Sequence, residues 1–517
     1  MELKLVFQNA RCVVVELTEA GKYYTEKEYK IYANGELKAN HNHVISSLYD
    51  LKPDTDYEIT VEYEGEDVAP LKVHTDSQYV TLNVRDFGAQ GDGEHDDTNA
   101  IQAAIMACPK NSRILVPAGT YKIVSVFLKS DITLELAKGA TLSAFTDRTK
   151  FPIFPGTIDT YDETDEYNLG TWEGNPLDTF SGIITAINAE NITITGEGVI
   201  DGCADFDNWW FEPKIRKIAW RPRLVFISHC KNVVLQGITV KNSPSWTLHP
   251  YFSENLRFID IKIQNPFNSH NTDGLDPESC NHVEVIGAYI SVGDDCIALK
   301  SGKIYMAKKL GIPMQNMLIR NCCMRDGHGS VTVGSEIAAG VKNITIKDCQ
   351  FIHTDRGLRV KTRRGRGERS ILDQITFENI DMDQVMTPFV VNSFYFCDPD
   401  GRTDYVGSME PYPVDDRTPS IKRLTFKNIE AKNCHVAAAY ITGLPENKIE
   451  CLTFENIHVT YAEDAKSGVA AMMTECKESC KAGIFALNAK KLVLKNVKVE
   501  GCEGEDIIAK NVDFIEK

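Results

Sequence analysis

Asn232-Val-Val-Leu, Asn255-Leu-Arg-Phe, His282-Val-Glu-Val, Asn316-Met-Leu-Ile and Asn343-Ile-Thr-Ile open on one pattern, a polar residue followed by apolar residues at alternate positions. Asn191-Ile-Thr-Ile comes before them, and Gln374-Ile-Thr-Phe, Arg423-Leu-Thr-Phe, Cys451-Leu-Thr-Phe and Lys491-Leu-Val-Leu come after. Consecutive starts lie 23 residues apart (232 to 255), 27 apart (255 to 282, and 316 to 343) or 28 apart (423 to 451). Most are followed by a polar turn and a second short alternating run, as in Asn379-Ile380-Asp381, Asn428-Ile429-Glu430 and Asn456-Ile457-His458. Strands repeated at this period without intervening helices predict a parallel β-helix, in which each turn buries its apolar face on its neighbours. A leucine-rich repeat has a similar period, but its L-x-x-L-x-L consensus is absent, and propeller blades are longer.

Outward from this repeat the character changes. Residues 1–76 read as a separate all-β module, with alternating runs at Cys12–Leu17, Glu28–Ala33, His43–Ile45, Tyr57–Tyr63 and Leu71–His74 and a turn at Asn34-Gly35. Its Leu51-Lys52-Pro53-Asp54-Thr55-Asp56-Tyr57 segment resembles the tyrosine corner of fibronectin type III domains, which implies a small β-sandwich of that kind. The second domain is expected over 80–517. It opens with a helix over Asp96–Cys108, whose Ile101, Ala104, Ile105 and Ala107 recur at helical spacing. Asp97 or Thr98 is the expected cap, and the helix is expected to cover the open end of the β stack.

The chain of 517 residues is 43% hydrophobic and carries a net charge of −17, which argues against a general nucleic-acid binder. No apolar stretch approaches the roughly 18 residues of a membrane span. The N-terminus turns polar at once, unlike a secretory leader. The fifteen cysteines are odd in number and scattered, with no histidines at metal-site spacing. They read as reduced, buried thiols, and the expected location is the cytoplasm.

The chemistry gathers in four motifs: Asn271-Thr-Asp-Gly-Leu-Asp276, Gly293-Asp-Asp295, Gly327-His-Gly329 and Arg359-Val-Lys361. Singly, each has a plain structural explanation. On a coiled chain they fall on successive turns and can share one face. Neighbouring carboxylates at Asp294 and Asp295 can serve one site only where the strand bends, and Gly293 supplies that freedom. Close carboxylates raise one another's proton affinity, so that one can hold a proton while another polarises water, the combination that glycoside hydrolysis requires. Arg359 and Lys361, two apart, can project from one strand face. With Arg356, Arg363, Arg364, Arg366 and Arg369 they form a basic run that, in an acidic chain, points to an acidic saccharide.

In this order the motifs resemble the active-site pattern of glycoside hydrolase family 28, the polygalacturonases, over about residues 80–510. The resemblance implies a right-handed parallel β-helix of the pectin-lyase-like kind. It implies hydrolysis of α-1,4-galacturonosidic bonds with inversion, in a single displacement with no metal and no cofactor. Asp294 then matches the general acid, Asp273 and Asp295 the pair that deprotonates water, and His328 the histidine supporting the acid. Arg359 and Lys361 match the family's contacts to the galacturonate carboxylate, with Val360 in place of Ile. Tyr395 matches the active-site tyrosine. Asn271, Asp276 and Arg356 are further expected substrate contacts, with Lys300 and Lys303 weaker ones. The partner is an acidic oligosaccharide; oligomeric state is left open.

Two regions are expected to bear on where a polymer is cut: the acidic insertion 151–180 and the segment 203–223, with Trp209, Trp210 and Trp220. The Arg-rich stretch and the N-terminal module look more like bacterial exo-acting members than secreted endo-enzymes. The rival readings are a hydrolase of rhamnogalacturonan or xylogalacturonan, a calcium-dependent β-helical lyase and a non-catalytic carbohydrate-binding protein.

Overall fold

The computed structural model describes residues 1–157 and 168–517. Most of the chain is a right-handed parallel β-helix, preceded by a small β domain. Each repeated segment forms a strand, among them Lys231–Gln236, Glu254–Ile259, Asn281–Ile286, Met314–Arg320, Val341–Ile352 and Ile371–Asp383. Their register is continuous: Val233 pairs with Leu256, and the column runs on through Val283, Met317, Ile344, Ile375, Leu424, Leu452 and Leu492, all buried. A slip of one residue would turn the whole column to solvent, so the apolar alternation dictates the register.

The recurring asparagine has its own physical reason. Asn191, Asn232, Asn255, Asn316 and Asn343 all adopt φ between 55° and 57°, the left-handed region that asparagine tolerates better than other side chains with a Cβ. Their amides stack, Asn232 donating to Asn191 at 2.9 Å, Asn255 to Asn232 at 3.2 Å and Asn343 to Asn316 at 2.6 Å. Each ladder thus satisfies polar groups at a corner of the coil.

A third strand per coil makes the wall that carries the site. Here Leu248 bridges Leu275, Leu275 bridges Ile297, and the column continues through Val331, Leu358, Phe389, Ala439 and Ile484.

The helix forms over Thr98–Ala107, with Ile101, Ala104 and Ile105 buried in the main core. It covers the open end as expected, and the Gln102 amide both donates to and accepts from the Phe127 backbone at 2.8 Å, standing in for a missing neighbour strand. The capping differs from expectation. Asp97 makes no cap bond and instead accepts from the N–H groups of Gln90 and Gly91, while the Asp96 carboxylate accepts from Thr98 N–H.

At the N-terminus seven strands form two antiparallel sheets. One holds Leu3–Gln8, Val13–Leu17 and Ile45–Leu48; the other holds Glu36–His43, Tyr24–Ala33, Asp56–Glu62 and Leu71–His74. Asn34 and Gly35, at φ 49° and 80°, make the tight hairpin the sequence predicts. The Tyr57 hydroxyl accepts from Lys52 N–H at 2.9 Å, closing the corner. The domain docks on the β-helix through Cys12, Val14, Val44 and Ile45 against Ile259 and Ile286. Around this patch Ser47 donates to Asp260 and Arg320 to Glu16. No helix among the described residues is long and apolar enough to cross a membrane.

Candidate active site

Asp273 and Asp295 each precede by two residues the bridged pair Leu275 and Ile297, so adjacent coils bring them side by side. With Asp294 they place one carboxylate oxygen each within 4.8 Å of one another. Gly293 is required here for space rather than for an unusual φ, since a Cβ would lie 2.5 Å from the Ser269 carbonyl oxygen. Gly329, in register with Asp295, likewise leaves room for that carboxylate, whose Oδ1 would be 3.0 Å from a Cβ.

The three carboxylates live in different surroundings. Asp295 is fully buried and accepts from Arg359 Nη1 at 2.9 Å and Lys361 Nζ at 2.7 Å. Burial pushes its proton affinity up, but the Lys361 and Arg359 charges outweigh that and hold it well below the usual carboxylate range. Asp273 is 5% exposed, and its closest cation is the Lys300 ammonium at 3.9 Å. Burial, then the Asp294 charge, raises it to about 8. Asp294 is the most open of the three at 24%, with His328 Nδ1 at 3.4 Å from Oδ1 and His328 N–H donating to its carbonyl at 2.9 Å. Burial pushes Asp294 up, but the hydrogen bond from His328, with the nearby positive charges, holds it below its ordinary value. His328 is raised in turn, chiefly by that same bond. A divalent cation at these carboxylates would sit against the positive charges of Arg359 and Lys361, which already occupy both oxygens of Asp295.

Several residues expected on the substrate side lie beneath it. Asp276 is fully buried, and neither of its oxygens has a hydrogen-bond partner among the described residues. It sits 3.8 Å from Lys300, under the site rather than in the cleft. Lys300 is 4% exposed and donates to Glu336 at 2.9 Å, so it is an internal counter-ion and no free anchor. Lys303 pairs with Asp398 at 3.2 Å. Arg356 donates to the Val469 and Ala470 carbonyls, pinning a loop over the site. Tyr395 is 8% exposed, packs near Lys361 and shares a small cavity with Arg359, Asn392 and Met472.

The basic run is also internal. Arg363 pairs with Asp400 and Asp398, and Arg366 with Asp398. Arg364, 1% exposed, is bidentate to Glu446 and donates to three carbonyls. Arg369 donates to the Ala307 carbonyl. Charge matching within the chain, not a saccharide, accounts for this cluster. Trp209 and Trp210 are buried, and Trp220 stacks on Trp172 at 4.7 Å. Of the 151–180 insertion, residues 158–167 lie outside the described residues.

The residues that sequence reasoning missed are Arg221, Arg223 and Glu336. Arg221 Nη2 donates to Asn271 Oδ1 at 2.6 Å, and because guanidinium only donates, this bond turns the Asn271 amide nitrogen away from it. Arg223 lies between the rings of Trp172 and Trp246. Two arginines flanking Pro222 in an acidic chain were the available signal.

The sequence profile of glycosyl hydrolases family 28 matches residues 109–481. The chain belongs to that family. The family 28 match spans Asp273, Asp294, Asp295, His328, Arg359 and Lys361. A probable polygalacturonase of Vitis vinifera is 28% identical over 389 residues, 74% of each chain. An exo-poly-alpha-D-galacturonosidase of Dickeya chrysanthemi is 26% identical over 499 residues, covering 85% of this chain and 78% of its own. Among solved structures, the family 28 exopolygalacturonase of Yersinia enterocolitica superposes with a TM-score of 0.69 over 99% of this chain and 98% of its own; at 21% identity this bears on fold alone.

Proposed function

We propose that this family 28 glycoside hydrolase cleaves α-1,4-galacturonosidic bonds in pectic oligomers, releasing short products from a chain end. The observation that carries the reading is the division of labour among three adjacent carboxylates. Asp295, paired to two cations, stays ionised and can take a proton from water. Asp294, facing the cleft, is paired with His328, whose raised proton affinity makes the imidazolium the store of the proton that Asp294 passes to the leaving glycosidic oxygen. Asp273 completes the water site beside Asp295. Arg359, Lys361 and Tyr395 line the adjoining cavity, where a uronate carboxylate would find partial charge complementarity. Action from an end is supported by two pinned walls. On one side residues 168–178 are tied down through the Trp172–Trp220 stack and the Lys303 N–H to Gly174 carbonyl bond. On the other, residues 469–473 are tied by Arg356 and by Asn392, which donates to the Met472 carbonyl. The name of the Dickeya relative agrees with it.

A time course on defined oligogalacturonides tests this. Monomer or dimer should accumulate steadily from the first minutes, and early mid-sized products would defeat the chain-end reading. The family resemblance favours inversion. Proton NMR of the first anomer released tests this.

Two further readings belong to this proposal. The N-terminal module, residues 1–76, is fibronectin type III-like, supported by its three-plus-four strand arrangement and the Tyr57 corner. The protein works in the cytoplasm, supported by fifteen free cysteines, nine of them buried, which suit a reducing compartment. Fractionation of the producing cell checks the second.

A further inference from the structure

Lys300 is a buried cation beside the site. It follows the strand Asp295–Leu299, and backbone bonds from Lys300 N–H to Pro277 and from Ser279 N–H to Lys300 hold it to the preceding coil. Its ammonium lies 4.5 Å over the Trp246 ring and faces three carboxylates: Glu336 at 2.9 Å, Asp276 at 3.8 Å and Asp273 at 3.9 Å. Glu336 follows the strand Gly329–Gly334, so the cation is shared between a catalytic-wall aspartate and a glutamate two coils along.

We propose that Lys300 is the positioning residue that sets where the site's proton rests, with Glu336 as its counterweight. This rests on the reading of Asp273 as a member of the water-handling pair. When Glu336 draws the ammonium, Asp273 is left less compensated and keeps its proton; when the ammonium leans to Asp273, that carboxylate ionises and can work as a base. The other charged groups facing Asp273 are Asp294, Asp295 and Lys361 on the site wall, with Asp276 below and Arg221 and Arg223 behind. Glu278 and Glu173 face Lys300 from the coil before and from the 168–178 wall. Of the cations, Lys300 alone is in ion-pair range of both Asp273 and Glu336 among the described residues.

The expected signature is a pair of opposite shifts. Lys300→Met should move the acidic limb of kcat/KM on a short oligogalacturonide to higher pH by about one unit or more, since removing a charge near 4 Å disfavours ionisation. Glu336→Gln should move the same limb to lower pH, and Lys300→Arg should return it toward wild type. A buried pair with a purely structural role would lower stability in both variants and leave the limb in place. Unmoved limbs, or shifts of the same sign, in folded variants overturn the proposal. If the wild-type protein cuts no galacturonide, the substrate reading fails instead. The ¹³C carboxyl titration of Asp273, assigned by its loss in Asp273→Asn, must then show the same two opposite shifts for the inference to stand.

Discussion

Arg359 and Lys361 stand within a few residues of Arg363, Arg364 and Arg366, yet the two groups belong to different parts of the protein. The first two leave one face of the strand Arg356–Lys361 and meet Asp295 in the site. The last three follow the end of that strand and meet Asp398, Asp400 and Glu446, which fold back from two later loops. In sequence both groups look like one basic patch awaiting an anion. In space the first is a charge-setting device and the second is a set of buried staples, because what decides a cation's role is which acid the fold returns to it.

The widest separation between the two groups should come from Asp294→Asn. Turnover should fall about 10³-fold or more, since general acid catalysis contributes on that scale. The thermal midpoint should hardly change, because Asp294 touches none of the staples. Near-full turnover would remove Asp294 from the chemistry. The converse experiment is Arg364→Met, which strands Glu446 without its cation and should cost about 3–4 kcal/mol of stability. Denaturant unfolding measures it, and the protein that stays folded should keep its kcat; a loss of kcat with unchanged stability would place the staples in the site after all.

A pH-dependent effect sharpens the site side of the comparison. Asp273 is raised to about 8 from 3.8, so between those pH values the folded state binds the proton more tightly than the unfolded chain. Stability therefore falls as pH rises through that window. Asp273→Asn should relieve this, making the variant up to about 5 kcal/mol more stable than wild type at pH 8, a gap that closes toward pH 4. Melting curves across pH show whether it does. The smallest change lies outside both groups: Tyr57→Phe removes the corner hydrogen bond and should cost about 1 kcal/mol, without effect on kcat. A larger loss of activity would tie the N-terminal module to the site.

Much of the fold could be read from the chain because a solenoid writes each coil locally. The asparagine-led strands, the helix at the open end and the hairpin at Asn34-Gly35 all depend on nearby residues. The carboxylates were legible for the same reason, since one residue type recurs at one register position in successive coils. Depth was not legible. Asp276 shares its motif with Asp273 yet lies below the surface, and Lys300, an anchor by its sequence position, is taken up by Glu336. Those outcomes depend on partners 36 to 82 residues away, such as Glu336 for Lys300 and Glu446 for Arg364, which no local pattern announces.

The asparagine ladder has a consequence for how such a protein can change. Because each rung clamps one coil onto the next, the distance between groups on the catalytic wall is counted in whole coils, each about 4.8 Å along the axis. Lengthening or swapping a side loop alters the shape of the cleft but leaves that ruler untouched. The spacing from Asp273 to Arg359 is thereby insulated from the variation that tunes the substrate, and one scaffold can trade one cutting pattern for another without resetting its chemistry.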